Sequence, residues 1–428
     1  MVRMQHTRKR SKSAVIGSLL ALGALSTLAL YAFAPKQVKL AKLLNLPPSL
    51  TKDSLAETLR RSIENPSKEA YLPVHVSLPI RGKTTPVILQ YSVESKLQVE
   101  MESLFHTYRP DYGAFVAIDA DSGKIISLVS YSHVNPDVSN LALRGGLPSA
   151  SVFKMVTASA AIANGKFSPE SMIPVNGQFH TLYRKNVFSP KVNRWTRYIS
   201  LREAFAKSVN TVFGRIGAVS VGPQEMSKYA QNFGFNRAIT SDIPYEQGKA
   251  SITEDSWKLA EASSGYTVEN TMSPLQGALM AAAIANDGRM MEPYIVQSVF
   301  TESGEPLYTA EPQLATISVD PMTASQVRML MSETVHRGTA RGAFKTFFRH
   351  NRLASNLEIG GKTGSLTGHE PRGKYDWFVG YARGNGRKLA FCALTIHKEF
   401  WRVKSAYLAR RAIEAYFSAD PVYVSRNP

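Results

Sequence analysis

The sequence predicts an α+β fold: a five-stranded antiparallel sheet flanked by helices, an all-helical lobe, and an N-terminal transmembrane helix. Three observations carry this. Strand-like runs lie at both ends of the globular region, near 113–130 and 357–397, with helical patterns between them. A chain arranged so brings its two ends together in one sheet. Ahead of it, Ala14–Ala34 is 21 residues without a charge, long enough to span a bilayer.

At 428 residues and 44% hydrophobic, the chain is globular and can build a substantial core. Its net charge of +18 and pI near 9.8 would suit nucleic acid, an anionic membrane surface or an acidic polymer. Past the first residues, however, Lys and Arg are interspersed with Asp and Glu. There is no basic helix, zinc-finger spacing or RNA-binding aromatic signature, so nucleic acid is not an expected partner. The nine histidines show no ligand spacing, and no metal or other cofactor is expected.

Residues 1–13 form a basic tail (Arg3, Arg8, Lys9, Arg10, Lys12), placing it in the cytoplasm and everything after Ala34 outside. An uncleaved anchor in a bacterial inner membrane is favoured over a cleaved signal peptide. Ala32-Phe33-Ala34 resembles a cleavage site, but the apolar run is long and Pro35 would follow the cut. Residues 35–91 read as a stalk and small N-terminal segment. It carries an amphipathic helix around 55–63 and two short strands flanking Arg81-Gly-Lys-Thr-Thr. That Gly-Lys-Thr is no phosphate loop, because Ser77 stands where its first glycine would fall.

Next come a helix over 96–108 and a hairpin, Gly113–Asp119 with Lys124–Ser130, joined by Ala-Asp-Ser-Gly. Pro148 suits a helix start and Asn164-Gly165 its stop, which puts Ser151 in the first turn and Lys154 one turn on, on the same face. A turn-rich passage, 168–199, holds Tyr183, Trp195 and Tyr198. Ser200-Leu-Arg-Glu203 is a capping box that opens a short helix running to Ser208-Val209-Asn210. Residues 211–235 read as helical and 236–269 as loop. Ser273-Pro274 and Asp320-Pro321 start two more helices. Leu357 to Leu366 is a strand, 367–375 a polar loop, and 376–383 with 388–397 a hairpin turning at Gly384-Asn385-Gly386. A helix over 405–417 and a tail, 419–428, complete the chain. Cys392, the only cysteine, reads as a small buried hydrophobe.

Three short motifs occur in order: Ser151-x-x-Lys154, Ser208-Val-Asn210 and Lys362-Thr363-Gly364. Each is weak alone, but the ordered set is specific. A serine hydroxyl needs a neighbouring base to become a nucleophile, and a lysine serves if its pKa is depressed. Two lysines converging on one serine would depress each other, favouring a neutral Lys154. The cation left at Lys362 suits a substrate ending in a carboxylate. Gly364 would let a substrate strand come close to the sheet edge; alternatively Gly360, Gly361 and Gly364 mark a bulged edge strand.

From about 92 to 418 the chain resembles the transpeptidase domain of penicillin-binding proteins. The likeness extends to Gly113-Ala-Phe-Val-Ala-Ile-Asp, Leu201-Arg-Glu-Ala-Phe-Ala-Lys-Ser-Val-Asn, Ser273-Pro-Leu-Gln-Gly-Ala and Trp377-Phe-Val-Gly-Tyr. The resemblance implies that Ser151 forms an acyl-enzyme with a D-Ala-D-Ala-ended peptidoglycan stem peptide, with Lys154 as base. Ser208 and Lys362 would relay a proton to the departing D-Ala. Asn210 would hold the donor backbone, Thr363 and Ser365 its terminal carboxylate, and the N–H groups of Ser151 and Ser365 the oxyanion. It also implies covalent binding of β-lactams and a membrane glycosyltransferase as partner, since the stalk leaves no room for such a domain.

The same residues with water as acceptor would give a D,D-carboxypeptidase or β-lactamase; without catalysis they would give a β-lactam sensor or scaffold. The middle motif is Ser-Val-Asn where the family often has Ser-Asp-Asn, and Ser365 stands where many relatives have threonine. Glu246 lies near the position of a deacylating glutamate but lacks its accompanying asparagine, which favours a penicillin-binding protein over a β-lactamase. The aromatic loop and Leu366–Tyr375 are expected to wall the acceptor side of the cleft, with Trp195 alternatively capping the core.

Overall fold

Strands from both ends of the chain and one buried helix set the frame for the site. The computed structural model describes residues 50–64, 72–80, 82–134, 140–189 and 191–418. The expected anchor, 14–34, lies outside them. Among the described residues no helix is long and apolar enough to cross a membrane.

The described chain enters through helix α1 (Lys52–Glu64) and a hairpin, β1 (His75–Ile80) with β2 (Lys83–Tyr91). The hairpin is half of a four-stranded sheet in the order β1-β2-β5-β6, where β5 is Val296–Thr301 and β6 is Pro306–Thr309. The sequence reading placed no strands in this later stretch. Asp242, fully buried, helps hold β5 by accepting from Ile295 and Val296 N–H at 2.7–3.0 Å.

The main sheet has five antiparallel strands in the order β7-β8-β9-β3-β4. Here β3 is Tyr112–Asp119, β4 Ile125–Ser132, β7 Glu358–His369, β8 Arg372–Gly384 and β9 Arg387–His397. The Gly384-Asn385-Gly386 turn works as read: Asn385 and Gly386 have φ of 53° and 72°, which a two-residue hairpin of matching twist requires. The stretch 367–375 is not a polar loop. It continues β7 and β8 in unbroken register down to His369 and Arg372, because Tyr375 alternates into the core and is fully buried. That same register excludes a bulge in β7.

One face of the sheet packs on α2 (Ser95–Tyr108), α10 (Arg341–His350) and α11 (Ser405–Phe417), with Phe115, Phe344, Phe378 and Phe391 in the shared core. The other carries α8 (Pro274–Ala285), buried along its whole length. Gly277 lets α8 touch β9: a Cβ there would lie 2.9 Å from the sulfur of the buried Cys392.

The helical lobe departs from the sequence reading in three places. Pro148 does not start a helix. Leu147-Pro148 forms a two-residue strand against Thr271-Met272, and the helix begins with a 3₁₀ turn, Ala150–Phe153, before α3 (Lys154–Ala163). The pull comes from tertiary hydrogen bonds: Ser149 N–H donates to Asn270 O at 2.8 Å and Trp377 Nε1 to Pro148 O at 2.9 Å. Residues 211–235 are not one helix. After α4 (Leu201–Ala206) and α5 (Asn210–Arg215) comes a π-helical stretch, Ile216–Val221. Gly222-Pro223 then restarts the chain as α6 (Pro223–Asn232). Within 236–269 lies α7 (Ser256–Ser264), capped by the Asp255 carboxylate at its start and by left-handed Gly265 at its end. The expected caps of α4, α8 and α9 (Pro321–His336) are present: Ser200, Ser273 and Asp320 accept from Glu203, Gln276 and Thr323 N–H at 3.0–3.1 Å.

Candidate active site

The three motifs come from separate elements. Ser151 sits in the 3₁₀ turn, Lys154 at the start of α3, Ser208 between α4 and α5, Asn210 at the start of α5, and Lys362 to Ser365 on β7, the sheet edge. All eight residues singled out in the sequence fall in one region. Ser151, Ser208, Asn210, Thr363 and Ser365 line a single cavity of about 820 Å³. Lys154 and Lys362 lie fully buried beneath it.

Lys154 Nζ is 2.7 Å from Ser151 Oγ, 2.8 Å from Asn210 Oδ1 and 2.5 Å from Ser264 O. Burial, and then the charge of Lys362, pull its pKa well below the usual lysine value. A neutral amine has two N–H donors and one lone pair. Ser264 O can only accept. Asn210 Oδ1 must also accept, because the amide's nitrogen donates to His180 O at 2.8 Å. In the neutral form both N–H groups of Lys154 would be committed to these two acceptors, which leaves the lone pair for the Ser151 hydroxyl. That is the geometry of a general base waiting on its nucleophile.

Lys362 donates to Ser208 Oγ and Thr363 O, both at 2.9 Å. Burial lowers its pKa to about 7, so it can give and take a proton near neutrality. Two residues beside the chemistry hold left-handed backbone without being glycine: Ala150 at φ 49° and Ser208 at φ 55°. Such conformations cost about 1–3 kcal/mol and persist where the surroundings impose them.

Gly364 does not open the edge to substrate. A Cβ there would point inward, 3.0 Å from Val152 Cγ2 and 3.2 Å from Ser149 O, so its absence seats β7 against the serine turn. Gly360 and Gly361 likewise admit the rings of Tyr381 and Phe378. Glu246 does not line the cavity: its carboxylate accepts from Gly145 N–H at 2.8 Å, pinning the loop after Leu143. Tyr183, Trp195 and Tyr198 neither line the cavity nor cap the core, being 59%, 73% and 54% exposed. Of the segment after the lysine motif, Leu366 reaches the cavity.

The sequence reading missed three participants. Ser264 supplies the carbonyl that orients Lys154. Gly265, at φ 66°, has its missing Cβ 1.9 Å from Ala150 O, so only glycine lets α7 end against the nucleophile's turn. The Asp255 and Gly265 cap pair was the available signal for this helix. Thr339 Oγ1 lies 2.6 Å from Thr363 Oγ1, and no motif marks it.

Among the described residues no cluster of three His, Cys, Asp or Glu could hold a metal.

The family model described as the penicillin binding protein transpeptidase domain matches residues 113–413. The peptidoglycan D,D-transpeptidase PbpA of Mycobacterium tuberculosis is 27% identical over 354 residues, covering 73% of this chain and 69% of that one. PbpA of Mycolicibacterium smegmatis is 26% identical over 321 residues, and the match covers 67% of this chain but 62% of that relative's length. The crystal structure of PBPA from M. tuberculosis superposes with a TM-score of 0.64 at 25% identity, covering 77% of this chain and 82% of that one. The imipenem acyl-enzyme complex of the same protein gives 0.62 at 26% identity, covering 77% and 80%. The family match runs from the first strand of the main sheet into its last helix and takes in all three motifs, so this chain belongs to the penicillin-binding protein transpeptidase family.

Proposed function

We propose that the chain is a peptidoglycan D,D-transpeptidase. The observation that carries this is Lys154 Nζ, held 2.7 Å from Ser151 Oγ by two obligatory acceptors, Asn210 Oδ1 and Ser264 O. Ser151 Oγ attacks the carbonyl of the penultimate D-Ala of a D-Ala-D-Ala-ended stem peptide as its proton passes to Lys154. The backbone N–H groups of Ser151 and Ser365 receive the oxyanion. The C–N bond breaks, the departing D-Ala takes a proton from Ser208, and Lys362 restores it across their 2.9 Å contact. An amino acceptor from a second stem peptide then attacks the ester, its proton passing through Ser208 back to Lys362, and as the ester C–O bond breaks Lys154 returns its proton to Ser151. Asn210 holds the donor backbone, and Thr363 and Ser365 hold its terminal carboxylate. A β-lactam enters the first half of this cycle and stays bound.

The full substrate range follows the same reading: stem peptides as donor and acceptor, and glycan strands supplied by a membrane glycosyltransferase. With Ala14–Ala34 as anchor and a basic tail inside, the catalytic region works on the outer face of a bacterial cytoplasmic membrane. The engagement of Glu246 with Gly145 N–H leaves no deacylating carboxylate there and favours an amine over water as acceptor.

The test is labelling with a fluorescent penicillin. The full-length chain should be labelled covalently, with the adduct at Ser151 by peptide mass spectrometry. Ser151→Ala should lose labelling while keeping its thermal transition. Labelling that survives this substitution refutes the assignment.

A further inference from the structure

The cavity runs past Thr363 and Ser365 to a second wall that includes Trp401, Arg402, Lys404 and Tyr407. Asp376 stands between, opposite Ser365 in the β7–β8 register and 7% exposed. One oxygen of its carboxylate, Oδ1, lies 3.5 Å from Ser365 Oγ and 3.5 Å from Lys404 Nζ. The other accepts from Ser405 N–H at 2.7 Å, at the start of α11.

This creates an electrostatic conflict. A ligand carboxylate held by the Thr363 and Ser365 hydroxyls would meet a second carboxylate directly behind Ser365, and like charges so close oppose binding. The two hydroxyls bring no charge of their own. Lys362 is turned to Ser208 Oγ and Thr363 O, and its proton serves that hydroxyl. Arg402 donates to Arg109 O. Lys404 is the one cation within ion-pair distance of Asp376 among the described residues, and half of its side chain is exposed. It rests with Nζ 3.2 Å from the centroid of the Trp401 ring, on the cavity wall.

Resting on the functional reading above, we propose that Lys404 is a specificity-determining residue: it supplies the countercharge for the ligand's terminal carboxylate, and Asp376 both holds it in place and makes it necessary. Ligands ending in an acid would be selected over their esters by this pair, with Thr363 and Ser365 giving direction to the contact.

The experiment compares benzylpenicillin with its methyl ester, reading second-order acylation rates of the full-length chain by intact mass spectrometry. Lys404→Gln should slow the acid about tenfold, the effect of losing one partly exposed charge contact, and leave the ester nearly unchanged. Lys404→Arg should recover most of the acid rate. Asp376→Asn, whose amide oxygen can still accept from Ser405 N–H, should lessen the slowing of the acid that Lys404→Gln causes. Equal slowing of acid and ester by Lys404→Gln, or no change in either, overturns the proposal. If Asp376→Asn does not fold, the Gln and Arg variants of Lys404 decide alone. An unaltered chain that takes no acyl group from either compound refutes the functional reading itself, and this inference with it. Normal acylation with an indifferent Lys404 refutes only the inference.

Discussion

Replacing Lys362 with methionine should make the protein more stable and inactive. The lysine is fully buried, and burial brings its pKa from 10.5 to about 7. At about 1.4 kcal/mol per pKa unit, housing this side chain costs roughly 4 kcal/mol at pH 7. Methionine of similar length removes that cost and forfeits two hydrogen bonds, to Ser208 Oγ and Thr363 O, each contributing about 1 kcal/mol. The net gain is about 2 kcal/mol. With roughly 2 cal/mol/K of unfolding entropy per residue, that raises the melting temperature by about 2–3 °C. The gain must depend on pH in a set direction. The unfolded chain keeps the Lys362 proton up to its pKa of 10.5, whereas the folded chain sheds it above about 7. Stability of the parent therefore rises with pH between those values, and the advantage of Lys362→Met shrinks over the same window, reversing sign at about pH 9, where the remaining cost of housing the lysine equals the two lost hydrogen bonds. Thermal unfolding of the full-length chain and its variant, followed by circular dichroism from pH 6 to 10, measures this. A variant less stable than the parent at pH 7, or a difference that does not move with pH, refutes the reasoning.

Gly265→Ala should slow penicillin acylation by about a hundredfold or more, since its Cβ would overlap Ala150 O and push the Ser151 turn out of line; acylation kinetics near the parent's would show that this approach is not needed. Given a D-Ala-D-Ala-ended donor and an amino acceptor, the protein should form amide product and release bound β-lactam slowly. Free D-Ala appearing at the same rate with or without acceptor would move the assignment to a carboxypeptidase, and fast penicillin turnover to a β-lactamase. The protein should stay in the membrane fraction after salt and carbonate washes with its N-terminal residues intact; a soluble form beginning near Pro35 would show a cleaved signal peptide.

Ser151, Lys154, Ser208, Asn210 and Lys362 were legible because reactive groups of fixed type recur at fixed short spacing, and the elements beneath them carry caps that can be read locally. Ser200, Ser273 and Asp320 announced their helices, and apolar runs in β3, β8 and β9 announced the sheet. The misses share a different cause. Gly265 matters for its distance to Ala150, Gly364 for its distance to Val152, and Pro148 for the hydrogen bonds its neighbours make with Asn270 and Trp377. Contacts between residues far apart in sequence leave no periodicity and no spacing to detect. The glycines of β7 are instructive: their presence was plain, but which side of the strand they cleared depended on what packed there. Asp376 was hidden in the same way, as one acidic residue in a strand until the register set it behind Ser365.

The pairing of β2 with β5 changes what counts as a minimal piece of this protein. The family match begins at residue 113, yet a fragment cut between β2 and that point would lose β1 and β2 and bare one whole side of β5. An unpaired strand with free N–H and C=O groups recruits other strands, so such a fragment would tend to self-associate although its catalytic cleft were intact. The short hairpin ahead of the family region thus acts as a built-in guard against aggregation, and fragments made for crystallography or inhibitor screening should begin before His75.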